Sequence, residues 1–177
     1  MNGGGDDVSP ASRTLLNLLR LGFVLLGLGS VGIGIWMFAQ PVGWSDVFPA
    51  GISDLGPINP HFIRDVGGWL VAGGTLYLFA SLKPLRFGGV ALLVNLIGSS
   101  LHAAGHVMDL TSGSIPAKHW IVDFPGVFLP LLIQGILVWM LWAVTSGRYE
   151  SHGETADLAD DGAEHPIDSQ RYGETRP

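Results

Sequence analysis

The 177-residue chain has no cysteine, which excludes disulfides, thiolate metal sites and thiol redox chemistry. A cysteine-free chain is at home on either side of a membrane, so this absence assigns no compartment. Charge is scarce: Asp, Glu, Lys and Arg make up 14% of residues, against 47% hydrophobic ones. It is also badly mixed, because no glutamate precedes Glu150 and eight of the fifteen acidic residues fall between Glu150 and Glu174. The formal charge of −6 therefore describes a tail rather than a surface. No basic patch with interleaved aromatics exists, and nucleic-acid binding is set aside. What remains is a chain of long apolar runs, the composition of a membrane protein.

Residues 1–12 are rich in Gly, Asp, Ser and Pro and read as a disordered N-terminus. Arg13 and Arg20 flank the entry to the first apolar run, and no charge occurs from Leu21 through Ser45, longer than the ~20 residues a bilayer needs. A cleaved signal peptide is the rival interpretation. The run is long for one, and Met37-Phe38-Ala39 is a poor cleavage site, so an uncleaved span is expected. Pro41 and Gly43 should end it, with a Gly/Pro-rich loop on the membrane surface as far as Asn59. Asn59-Pro60 is a helix-start signal, Asn as N-cap and Pro at the first helical position. A second span follows, uncharged over the 17 residues from Val66 to Leu82 and extended by the turn at His61 to Asp65.

Lys83 to Arg86 forms a tight basic connection to a third span, Phe87 to about Met108. After a short loop, Pro116 opens an interfacial turn containing His119 and Trp120, and Pro125 kinks or restarts the helix. Phe124 to Gly147 is the fourth span. The fold class expected is all-α: a four-transmembrane-helix bundle over residues 13–148, with short loops and an acidic, disordered cytoplasmic tail over 149–177. Arg13, Arg20, Lys83, Arg86 and Arg148 fall on one side, against Arg64 and Lys118 on the other, so both termini are expected inside. Small residues four apart, Ser30/Gly34, Gly68/Ala72 and Ser99/Ala103, suit close helix approach.

The functional signal is polar. On the third helix Asn95, His102 and Asp109 recur every seven residues, with Ser99 and His106 beside them. Such a stripe must face protein or water rather than lipid. His61 with Asp65, and His119 with Asp123, form two H-x-x-x-D pairs, each shortly after a proline at the outward end of a helix. Seven titratable residues from three helices are thus brought to one level: His61, Asp65, His102, His106, Asp109, His119 and Asp123.

Two histidines at i and i+4 can chelate one ion, so His61, His102, His106 and His119 are candidate metal ligands, with zinc or iron suited to imidazole and carboxylate. Haem would take histidines from different helices, His61 opposite His102 or His106. HAAGH has Ala103 where the HExxH metalloprotease motif has its general base, so a hydrolase would need Asp65, Asp109 or Asp123 in that role. The bland alternatives are a hydrogen-bonded polar core without metal, an interfacial ion network at Arg64/Asp65, and Asp109 marking a helix end. A proton or substrate pathway is the third possibility.

The segment Asn59-Pro60-His61-Phe62-Ile63-Arg64-Asp65-Val66-Gly67-Gly68, together with His102-Ala103-Ala104-Gly105-His106, resembles the DoxX-like small four-helix membrane proteins over about Leu15 to Ser146. The resemblance implies an accessory role beside oxidoreductases. The vitamin K epoxide reductase bundle is a neighbour in layout only, since its catalytic cysteines have no counterpart. The function expected is a small accessory or metal-binding membrane component. The alternative is a metal-dependent membrane hydrolase or oxidoreductase, and a transporter subunit comes third. Expected partners are the lipid bilayer and a second copy or another membrane protein.

Overall fold

The computed structural model describes residues 10–47 and 56–161, with side chains as far as residue 146. The outer parts of both expected disordered termini (residues 1–9 and 162–177), and most of the loop before Asn59, lie outside the described residues. Within them, every regular element is helical.

Helix α1 runs from Pro10 to Ala39, and its first turn uses a proline whose missing N–H would have had no partner there. The apolar run does not pass into a simple loop. Pro41 cannot extend α1, but it serves as the first residue of a short helix α2, Pro41–Val47. Gln40 joins the two, its N–H donating to Trp36 O at 2.9 Å and its carbonyl accepting from Trp44 N at 2.8 Å.

Helix α3, Pro60–Leu82, begins as Asn59-Pro60 implied: the Asn59 side-chain oxygen accepts from the backbone N–H of His61 and Phe62. Helix α4, Pro84–Ser112, starts earlier than Phe87. The basic connection shrinks to Lys83, whose carbonyl accepts from the N–H groups of Arg86 and Phe87 at 3.0 Å. Gly113, in the left-handed region at φ 75°, closes α4 by donating its N–H to Asp109 O.

Pro116 opens a turn whose carbonyl accepts from His119 N at 3.0 Å, leading into the single-turn helix α5, His119–Val122. Phe124–Phe128 is a π-helical turn, with Leu129 N–H donating to Phe124 O five residues back. Pro125 sits in the first turn of this segment, so the restart expected there takes the form of a wide turn. Helix α6 then runs Leu129–Asp161. Its backbone passes Arg148 without a break, so the helix overruns the boundary drawn at residue 149; Glu154, Ala156, Leu158 and Ala159 are compatible with helix, and no proline interrupts them.

Three stretches are long and apolar enough to cross a membrane: Pro10–Ala39, Pro84–Ser112 and Phe124–Ser146. At 23 residues α3 has the length, but Arg64, Asp65 and four glycines dilute its apolar content. Large apolar side chains face outward along the other three, Leu25 at 62% exposure and Leu101 at 71% among them. In water such a surface would be aggregation-prone, and in a bilayer it is the solvated face.

The most extensive helix contact is α1 on α3; α4 packs on α3 and on α6, and α6 closes back on α1. The α1–α3 contact depends on glycine. A Cβ on Gly34 would lie 2.6 Å from Gly67 O, and one on Gly67 would lie 2.7 Å from Gly34 O. Gly27 and Gly74 repeat this two turns away, where a Cβ on Gly74 would lie 2.8 Å from Gly27 O. Backbone meets backbone, the arrangement that helix association in lipid favours. Ser30/Gly34 is thus on the packed face, whereas Gly68 and Ala72 are exposed, one residue off the true seam of Gly67 and Gly74.

Beyond this seam the interior divides along its length. The half towards the α1 N-terminus is apolar, built by Leu19, Phe23, Tyr77, Ala80, Ala91, Leu92, Leu137 and Met140. The Phe23 and Tyr77 rings stack with centroids 5.9 Å apart. The other half holds nearly all the interior polar side chains.

Candidate functional site: a carboxylate between two imidazoles

Helix α4 carries the polar half on one side. The amide of Asn95 donates to Ala91 O in its own helix at 2.9 Å and across to Gly73 O on α3 at 3.3 Å. Gly73 permits this approach, since a Cβ there would collide with Asn95 Oδ1. One turn further, Ser99 Oγ accepts from Gln134 Nε2 on α6 at 2.9 Å. His106, two turns beyond Ser99, reaches Asp123, with Nδ1 2.8 Å from Oδ2. Each of the three residues therefore ties α4 to a different neighbour.

Asp123 is the centre of the site. Its other oxygen, Oδ1, lies 3.0 Å from His119 Nδ1. The i, i+4 spacing of His119 and Asp123 sets that second contact, while the turn from Pro116 brings both under the end of α4. Side-chain exposure is 3% for Asp123, 0% for His119 and 17% for His106. As a carboxylate Asp123 can only accept, so both Nδ1 atoms carry the proton and both rings are held in the Nδ1–H tautomer. Hydrogen bonds to a buried carboxylate are the strong kind, and here both oxygens are engaged. His102 completes the group through its ring, which meets the His106 ring edge-on at 4.8 Å between centroids and 76° between planes.

Four of the seven expected residues are thus together: His102, His106, His119 and Asp123. The other three are apart. His61 Nε2 is 3.6 Å from Asp65 Oδ2 within α3, with side chains 85% and 64% exposed, too long for a hydrogen bond and open to water. Asp109 is exposed, and its recorded bonds are at the backbone, where its carbonyl accepts from Gly113 N–H, Ser114 N–H and Ser112 Oγ. Helix direction does put His61 at the right height. It lies twelve residues from Gly73, and His106 eleven from Asn95 on the antiparallel neighbour, ~18 and ~16 Å respectively from the crossing. The level is shared, but His61 pairs within its own helix.

The division on α4 follows from helical phase. At ~100° per residue, Ser99 and His106 sit ~40° and ~20° to one side of Asn95, while His102 and Asp109 drift ~20° and ~40° to the other. Protein covers the first side, so Ser99 and His106 are partly buried and His102 and Asp109 are exposed. A line drawn through every seventh residue picks the wrong flank.

Two participants were missed. Gln134 is buried at 3% exposure, and Tyr77 at 2%. Gln134 Oε1 and Tyr77 OH have no protein hydrogen-bond partner. The one signal for Gln134 was a lone amide inside an otherwise apolar run. Tyr77 gave none, because a tyrosine among leucines reads as core.

Chemically, the arrangement fixes two imidazoles through one carboxylate. In metal sites a carboxylate on Nδ1 is the common outer partner that orients a histidine whose Nε2 binds the ion. Among the described residues, no three histidine or acidic side chains are disposed to ligate one ion. The chain matches no family model, no curated protein and no solved structure.

Proposed function

We propose that this chain is a small four-span membrane component with both termini cytoplasmic and an accessory, non-catalytic role. In this role the His106–Asp123–His119 network organises the outward end of the molecule. Helix α3 is the fourth span, its polar first turn at the outer surface. Basic residues favour the orientation: Arg13, Arg20, Lys83, Arg86 and Arg148 belong to the end opposite Arg64 and Lys118. The accessory role is the one implied by the resemblance to DoxX-like proteins, and a second copy or another membrane protein is the natural partner.

The observation that carries this reading is the occupancy of Asp123. A general base needs a lone pair directed at substrate, and here both carboxylate oxygens are taken by imidazoles that join α4 to α5. Asp65 and Asp109 lie outside the group, so neither offers a base to it.

A second reading, a metal-dependent membrane enzyme, draws on the same carboxylate. The tautomer it imposes leaves the Nε2 of His106 as the basic nitrogen, and His102 is beside it. Zinc or iron would suit this pair with an exogenous ligand. Metal analysis of detergent-purified protein separates the two. The accessory reading expects no stoichiometric metal in wild type and no change in His102→Ala or His106→Ala. One metal per chain in wild type, lost in both variants, would replace it with the metal reading.

A further inference from the structure

The segment from His119 to Phe128 has two faces, and the membrane reading above uses only one of them. Inward, His119 and Asp123 are buried and bonded. Outward, Trp120, Ile121 and Phe124 are exposed, Ile121 at 81%. Phe128 joins the exposed rings into one band, its centroid 6.1 Å from that of Trp120 and 6.4 Å from that of Phe124. An outward band of this kind in water would be costly, and no other element of the described chain covers it.

The height of the band is fixed independently of its composition. The His106–Asp123 bond holds this segment level with His106 on α4. At that level the outer surface of α4 changes character. Leu101, Val107 and Met108 are exposed and apolar below it, and Asp109, Thr111 and Ser112 are exposed and polar above it. The apolar-to-polar border of α4 is therefore the height of Trp120 and Phe124. Tryptophan with phenylalanine at such a border matches the chemistry of the zone between headgroups and acyl chains.

We infer that His119–Phe128 is seated in the headgroup–acyl boundary of the outer leaflet, with Trp120, Ile121 and Phe124 in lipid and His119 and Asp123 on the protein. The partner of this surface is the bilayer itself, and the seat holds Asp123 beneath His106. This inference rests on the four-span reading.

The absence of cysteine permits a direct test. Single nitroxide labels are attached to full-length Ile121→Cys, Ala117→Cys and Leu101→Cys proteins in phospholipid vesicles, and collisions with oxygen are compared with collisions with a water-soluble nickel chelate. Leu101 reports on the membrane reading and should favour oxygen strongly. Ile121 should favour oxygen by a smaller margin, as a shallow site, and Ala117 should favour nickel. An Ile121 label that favours nickel lies in water and overturns the seat. One shielded from both reagents is covered by protein, a second copy included, and overturns it equally. A Leu101 label in water would instead remove the membrane reading and this inference with it. Should Ile121→Cys fail to insert, Phe124→Cys reports on the same face.

Discussion

Asp123 is the residue on which the outer end depends. Replacing it with alanine leaves two buried imidazole N–H groups without their acceptor. Each hydrogen bond to a charged group contributes ~1.5–3 kcal/mol, so Asp123→Ala should lower thermal stability in detergent clearly. Asp123→Asn should fall between, because its one oxygen accepts from one imidazole while its NH2 opposes the other. His61→Ala, at an exposed pair, should stay within ~0.5 kcal/mol of wild type. Equal shifts for Asp123→Ala and His61→Ala would mean that burial has been misjudged. Ser99 and Gln134 form a second test, by double-mutant cycle. Ser99→Ala and Gln134→Leu alone each disturb the pair, whereas the double variant removes both polar groups. A coupling of ~0.6–2 kcal/mol is expected, in the range of interhelical hydrogen bonds in membrane proteins. Zero coupling would deny the bond. At this scale the sequence was half legible. H-x-x-x-D at His119/Asp123 could be read because i, i+4 contact is local. That Asp123 also reaches His106 depends on how α4 meets α5, which spacing along one chain does not contain. His61 shows the converse: it shares the level, yet its neighbour Asp65 is nearer.

Among the elements, helix starts were the easiest to read. Asn59 caps α3 as expected because capping involves a few adjacent residues. The face each helix presents was harder. Gly68 and Ala72 satisfy the small-xxx-small pattern but look outward, and the seam uses Gly67 and Gly74, seven apart. With glycines at 67, 68, 73 and 74, composition leaves two adjacent faces open, and only the packing of α1 chooses between them. This gives a sharp comparison. Gly67→Val forces side-chain atoms onto the Gly34 carbonyl and should destabilise by ~1–3 kcal/mol, as overpacking does. Gly68→Val has open space and should be nearly silent. The measurement is thermal unfolding of both purified proteins. A reversed order would mean that α3 turns its other glycines towards α1.

Taken as a whole, the molecule is polarised along its axis, apolar core at one end and polar network at the other. Basic residues cluster at the apolar-core end, so the polar network is expected to face outward. A tag fused to the C-terminus should then survive protease added to intact cells. Cleavage of the tag would invert the orientation and place Asp123 on the inner side. The apolar spans were legible because membrane residence is written into composition over ~20 residues at a time. The extent of α6 was not, since acidic composition after Tyr149 signals polarity rather than the end of a helix.

The π-helical turn at Phe124–Phe128 has a consequence for rotational phase. A turn of that width holds one residue more than an α-turn would, so it acts as a spacer that decides which way α6 points once Asp123 is fastened. Deleting Gly126 would let the backbone close as ordinary α-helix and swing everything downstream by ~100°. Gln134 would then leave Ser99, and Leu137 and Met140 would turn out of the core, although no side chain in contact had been changed. The deletion should therefore cost more stability than Gly126→Ala, which fits open space. Adding a residue elsewhere in the same turn should restore what the deletion removes.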